Sequence, residues 1–459
     1  MENFWDSSVW GTYLVIGLLL LSLLAGNVLK RKIRLLQESL IPTSVLGGAL
    51  LLIISSIYKV ITGNNMFDAA IFGGRGTATM EILTYHCLAM GFIASSFKTS
   101  ENKLTKQRTV EIFNTGVTTV ATYLLQAVVG FGITILACFF IEDFFPAAGI
   151  LLPFGYGQGT GQALNYGGIY ENDWGFVGGK SFGLTIAALG FLSAAIGGVF
   201  HLNIRKKRGK LKPVHEKHVV RAEEIESANE IPMQESIDKM TVQVALIAAA
   251  YLLTYILMYL LGLVLPGMKS VIYGFNFLLG VLSATLMKMF LNWLRSSGIG
   301  HQEYVNNFLM TRTSNFFFDL MVVAGVAAIR LDTLEQYWGI MLILGVVGAV
   351  ITYVYLRIVC VKLFPEYPEE EFLMMYGMLT GTASTGTILL REIDGDFKTP
   401  AADNMVYQNF PAIVFGFPLM LLATLAPAKP YLTFGLLAAF MVVMNVILFR
   451  SFIFKGKKK

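Results

Sequence analysis

The sequence predicts an all-α polytopic membrane protein. It is read as two inverted-topology repeats, each with a re-entrant helical hairpin, plus one extra C-terminal transmembrane helix. Three observations lead there. Of 459 residues, 55% are hydrophobic and only 14% charged, whereas a soluble domain carries about a quarter charged residues. Two long apolar regions are interrupted by glycines and small polar side chains, at 152–171 (LPFGYGQGTGQALNYGGIYE) and within 371–391. Finally, the lysines and arginines between apolar runs segregate to alternate connectors.

The apolar runs have membrane-spanning length. The first, 9–29, is closed by KRKIR and preceded by MENFWDSSVW, which has no basic stretch. Charge behind the run marks a membrane helix; a signal peptide carries it in front. Further spans are expected at 40–58, 80–97 and 110–141, the last long enough to tilt or to include a kink near Gly130 and Gly132. After the first interruption comes 175–200. A charged connector opening with RKKRGK follows, and then spans at 240–265, 271–291, 308–329 and 337–363. The second interruption, 405–425 and 432–454 complete the set. The organisation expected is a first repeat over 1–202, a charged cytoplasmic connector over 203–239, a second repeat over 240–426, and the added helix with its basic tail over 427–459.

With the N-terminus outside, KRKIR, the 98–108 connector, RKKRGK, Arg295, Lys362 and the C-terminal KGKKK all fall on the cytoplasmic side. The other face collects Lys59, Arg75, Lys269, Arg330 and Lys429. The positive-inside rule therefore favours an outer N-terminus and a cytoplasmic C-terminus. In that orientation the first interruption begins and ends outside and the second inside. Each half then reads as four helices, a hairpin and one helix, in opposite orientations. Paired interruptions in corresponding places of two halves point to the binding site of a secondary transporter.

Laying Gly159-Thr160 over Gly381-Thr382 also superimposes Gly155 on Gly377. Glycine is a poor helix former, so an unbroken helix through Gly155, Gly157, Gly159 and Gly161 is not expected. Non-helical backbone at membrane depth needs protein or a water-lined cavity to satisfy it. A glycine tip bares backbone N–H groups, and the half-helix behind it adds a positive dipole end suited to a carboxylate. The candidate substrate-binding residues are Gln158, Gly159, Thr160, Gly161, Gln162, Gly381, Thr382 and Ser384. The amides of Gln158, Gln162 and Asn165 can donate and accept. The hydroxyls of Thr380 and Thr385 are hard oxygen ligands compatible with sodium. The alternative for these small residues is close helix packing.

LTGTASTGTILLR followed by DGDFKTPAADN resembles the second signature of the bacterial sodium/glutamate symporter family, and GYGQGTGQA lies where that family has its first glycine-rich hairpin. The resemblance extends over nearly the whole chain through the order of spans, with these two stretches at motif grade. It implies sodium-coupled glutamate uptake across the cytoplasmic (cell inner) membrane by a homodimer. In such a dimer a substrate-binding domain moves against a scaffold in the manner of an elevator. The chain departs from the family in its added C-terminal helix, its charged central connector and its first tip, Gly155-Tyr156-Gly157-Gln158-Gly159.

Ionisable or amide groups within membrane segments are functional candidates. Asn404 follows the second hairpin and is taken as a substrate residue, and Arg391 as a partner for a side-chain carboxylate or a positive-inside anchor. Lys180 could neutralise a substrate carboxylate, replace a coupling cation, or snorkel. Asp319, one turn after Asn315, is compatible with a sodium site or with a buried hydrogen-bonded helix contact. Glu81 and His86 read as interhelical glue. The three cysteines, Cys87, Cys138 and Cys360, lie apart without metal-ligand spacing. GGRGT lacks the Lys-Ser/Thr ending of a phosphate loop. No catalytic constellation is recognisable, so an enzyme is not expected, and the charge pattern gives no reason to expect nucleic-acid binding. Besides membrane lipid, the expected partner is a small carboxylate such as glutamate. Proton coupling, exchange of another carboxylate or amino acid, and a passive channel built on two half-membrane hairpins are the competing readings.

Overall fold

The computed structural model describes residues 3–98, 105–208, 230, 237–298, 303–395 and 398–454. Most of the charged connector, the middle of the 98–108 connector and the KGKKK tail lie outside them. Among the described residues the chain is 84% helical and has no strand. Eight helices are long and apolar enough to cross a membrane, so this is a multi-pass, all-helical membrane protein.

Among the described residues eighteen α-helices follow in chain order. α1 is Ser7–Lys32, α2 Arg34–Glu38, α3 Thr43–Thr62, α4 Gly76–Phe97, α5 Lys106–Ala137, α6 Leu151–Trp174 and α7 Gly179–Lys207. α8 is Lys239–Val264, α9 Lys269–Gly274, α10 Asn276–Ser296, α11 Asn307–Ala327, α12 Trp338–Leu363, α13 Pro368–Thr380 and α14 Ala383–Arg391. α15 is Ala401–Tyr407, α16 Asn409–Leu425, α17 Pro430–Leu448 and α18 Arg450–Phe454. Their ends carry local signals. Thr105 caps α5 by accepting from the Arg108 N–H, and Asp238 caps α8 by accepting from Met240 and Thr241. Gly63, at φ 75°, closes α3 in the left-handed conformation. Basic residues fill the last turns of α1 and α7, where the helix dipole and the positive-inside rule agree.

The expected spans at 80–97 and 308–329 do form helices, α4 and α11, but neither is among the eight. The reason is composition: α4 carries Glu81, Thr84 and His86, and α11 carries Arg312, Asn315 and Asp319. The expected span at 405–425 is bent, with Ala401–Tyr407 and Pro411–Leu425 meeting at 55°. α5 runs as one helix through Gly130 and Gly132. Gly130 serves a close crossing: a Cβ there would stand 2.4 Å from the Gly149 carbonyl oxygen.

Contacts divide the chain into two compact units. One comprises Ile82–Lys103 and His218–Met321. Its core packs Ile93, Ala94 and Phe97 of α4 against Ile247, Ala250, Ala284 and Met310. There His86 Nδ1 meets the Tyr251 hydroxyl at 2.6 Å and the Ser314 hydroxyl donates to the Gly91 carbonyl at 2.9 Å, so the expected interhelical role of His86 fits.

The other unit comprises Met1–Glu81, Leu104–Lys217 and Val322–Lys459. Within their most apolar stretches, α5 and α7 are 56% and 61% buried, against 17% for α3 and 22% for α1. α5 and α7 are therefore the inner helices of this unit, and α1 and α3 leave most of their apolar surface for lipid. α7 packs on α6 through small residues about one turn apart. Gly179 lies against the Gly167 carbonyl and Gly183 against that of Ala163, at separations only a glycine allows.

Candidate functional site

Both sequence interruptions are real breaks, and they fall on the superimposed Gly-Thr pairs. α6 loses helical geometry at Gly159 alone, with φ 75° and ψ −168°, a conformation open essentially only to glycine. Gly155, Gly157 and Gly161 stay helical. At the break the chain folds back. A continuous helix would separate residues 154 and 166 by about 18 Å along its axis, yet the Phe154 and Tyr166 rings stack with centroids 3.9 Å apart. The second break lies between α13, which stops at Gly381, and α14, which is capped by Thr382. α13 and α14 also fold onto each other, since a Cβ on Gly377 would be 2.6 Å from the Gly386 Cα.

The two breaks meet on α7. A Cβ on Gly190 would stand 2.4 Å from the Thr380 carbonyl oxygen and 3.3 Å from the Tyr156 Cα, one turn before Gly159. α5 and α7 each touch both broken hairpins. From α5, the Tyr123 hydroxyl donates to the Gly157 carbonyl at 3.0 Å and the Gln126 amide to the Leu379 carbonyl at 2.9 Å. From α7, the Ser193 hydroxyl meets the Tyr156 hydroxyl at 2.9 Å, and the Ser193 carbonyl accepts from the Tyr376 hydroxyl at 3.1 Å.

The tips are enclosed. Thr160, Gln162, Thr380 and Thr385 are buried. Thr160 sits against Gly325, where a Cβ would be 2.7 Å away. Gln158 Oε1 and Gln162 Nε2 are buried without a hydrogen-bond partner, one acceptor and one donor beside the same break. Gln162 Oε1 accepts from Asn165 at 2.9 Å. At the second tip the Thr382 and Thr385 hydroxyls lie 3.3 Å apart, and the Thr380 hydroxyl donates to the Tyr376 carbonyl at 2.6 Å. Ser384 is half-buried in the first turn of α14. The set offers backbone N–H groups, hydroxyl oxygens and one orphaned atom from each of two amides, chemistry suited to a small carboxylate and a hard cation.

The remaining candidates lie elsewhere. Lys180 pairs with Glu81 at 2.8 Å, ten residues before Gly190 and hence about 15 Å back along α7. Its backbone N–H is held by Glu171 at 3.0 Å. Arg391 is exposed at the far end of α14. Asp319 belongs to the other compact unit and is exposed there, so the expectation of a buried helix contact does not hold for it. Asn404 is fully buried, but at the base of the second hairpin: its amide donates to Glu371 at 3.2 Å and to the Tyr367 hydroxyl at 3.0 Å. Glu371 precedes Thr380 by nine residues, about 14 Å along α13.

That base holds residues the sequence reading passed over. Glu369 accepts from His201 at 2.8 Å, from Arg205 at 3.1 Å and from both terminal nitrogens of Arg357 at 3.0 and 2.8 Å, tying α7 and α12 to α13. Glu371 accepts from Thr115 of α5 at 2.9 Å. The Tyr367 hydroxyl donates to Glu111 at 2.9 Å, and burial, with Glu371 next, holds its proton well above the usual phenol range. A signal was present in Pro368-Glu369-Glu370-Glu371, three carboxylates opening an apolar arm. Acidic first turns suit helix dipoles, but ionisable groups at membrane depth are also functional candidates. No family model matches the chain, and no curated protein matches it.

Proposed function

We propose that this chain is a secondary active transporter, carrying glutamate or a closely related carboxylate with sodium across the cell membrane by elevator-type alternating access, as a homodimer. In this reading the two broken hairpins are re-entrant and dip from opposite faces in two inverted repeats. The observation that carries it is the meeting of both breaks at Gly190, with the orphaned amides of Gln158 and Gln162 beside them. Two half-helix N-termini brought to one place concentrate positive dipole ends where a carboxylate would sit. Gln158, Gly159, Thr160, Gly161, Gln162, Gly381, Thr382 and Ser384 form the substrate set. The Thr382 and Thr385 oxygens, with the Thr380 carbonyl, are the oxygen ligands for sodium, which is cargo here. Unequal hairpins suit alternating access better than a symmetric pore.

The test is uptake of labelled glutamate by purified protein in liposomes. An inward sodium gradient should drive accumulation above the external concentration, and collapsing that gradient should abolish it. Mere equilibration would mean a channel, and accumulation under a proton gradient without sodium would overturn the coupling ion.

A further inference from the structure

Glu371 is a fully buried carboxyl whose partners are neutral. Oε1 lies 2.9 Å from the Thr115 hydroxyl and Oε2 3.2 Å from the Asn404 amide. The cations of the surrounding helices are engaged elsewhere. Arg108 of α5 pairs with Glu111 at 2.6 Å, while Arg205 of α7 and Arg357 of α12 pair with Glu369, as does His201. On α12 Cys360 is buried, and Asp403 of α15 and Arg391 of α14 are exposed. Among the described residues Glu371 joins no salt bridge. Burying a carboxylate without a counter-charge costs several kcal/mol, and such a group ordinarily resolves that cost by neutralisation.

One hydrogen-bond count leaves room for one more proton. The Thr115 hydroxyl has a single hydrogen but two acceptors in reach, Glu371 Oε1 at 2.9 Å and the Glu111 carbonyl at 3.0 Å. With that hydrogen on the carbonyl, a proton on Oε1 completes the chain by donating to the Thr115 oxygen. Separately, Asn404 Oδ1 is buried without a partner, on the amide aimed at Glu371. A surface cleft lined by Lys106, Glu111 and Tyr367 adjoins this group, and the Tyr367 hydroxyl bonds both Glu111 and Asn404.

We propose that Glu371 is a proton-binding site at the base of the second broken hairpin, filled from that cleft. A hydronium ion of the cleft gives up one O–H bond and is left as water, one carboxylate oxygen forms the new O–H bond, and the side chain passes from −1 to neutral. The site is independent of the transport reading, because proton binding is measured on the protein without substrate.

Infrared difference spectra between acidic and alkaline buffer, taken on the full chain in lipid, test it. The parent should show a carboxylic-acid C=O band that Glu371→Gln lacks. Thr115→Val removes the hydroxyl that Oε1 meets and should move the band's frequency, because the carboxyl loses a hydrogen-bond partner in either protonation state. A Glu371→Gln spectrum that overlays the parent's would overturn the proposal. If that variant does not fold, Thr115→Val decides alone, since an unmoved band would overturn it equally.

Discussion

At Gly190 one hydrogen in place of a methyl lets the two breaks share a helix face. A Cβ there would press on the Thr380 carbonyl and the Tyr156 backbone, neither of which is a flexible side-chain end. Gly190→Ala should therefore destabilise the protein by about 1–3 kcal/mol, the usual range for overpacking. Gly435, in the middle of α17, is the control, because a Cβ there meets nothing within 4 Å. Gly435→Ala should be neutral or stabilising by up to about 1 kcal/mol, from helix propensity alone. Thermal unfolding in one detergent compares them. Equal midpoints for Gly190→Ala and the parent would mean the breaks do not converge on α7.

The hairpins show what pattern alone can and cannot reveal about an element. Gly159 and Gly381 were legible, because a helix break leaves a local trace in composition and two such traces superimpose. The pairing of Asn404 and Thr115 with Glu371 was not. Thr115 and Glu371 are 256 residues apart, and no periodicity along one helix encodes what another helix brings against it. The partner of Lys180 was illegible for the same reason, Glu81 being 99 residues away. Within the second tip, Thr385→Val tests the cation role. Valine keeps the β-branched shape while removing an oxygen from the Thr382–Thr385 pair, so packing is nearly conserved. Sodium affinity should fall, and apparent substrate affinity should fall with it at limiting sodium. Saturating sodium should restore the latter, because coupling between the two ligands is reciprocal. A sodium titration that overlays the parent's would remove Thr385 from the cation site.

At the scale of the whole molecule, the proposed inverted repeat depends on one alternation, the face at which each connector emerges. Eight apolar helices establish a multi-pass protein, and basic last turns on α1 and α7 fit cytoplasmic ends for both. Two exposed residues at opposite expected faces test this. Asn64 follows α3 and is expected outside; Ser297 follows α10 and is expected in the cytoplasm. In a background with Cys87, Cys138 and Cys360 replaced, a cysteine at position 64 should react with an impermeant maleimide on intact cells. One at position 297 should react only after permeabilisation. The two sites are separated by α4, α8 and α10 together with the inner helices α5 and α7, so an even count of crossings between them would bring both to one face. Labelling of both on intact cells would therefore remove the opposite orientation of the halves, and the two broken hairpins could no longer dip from opposite sides.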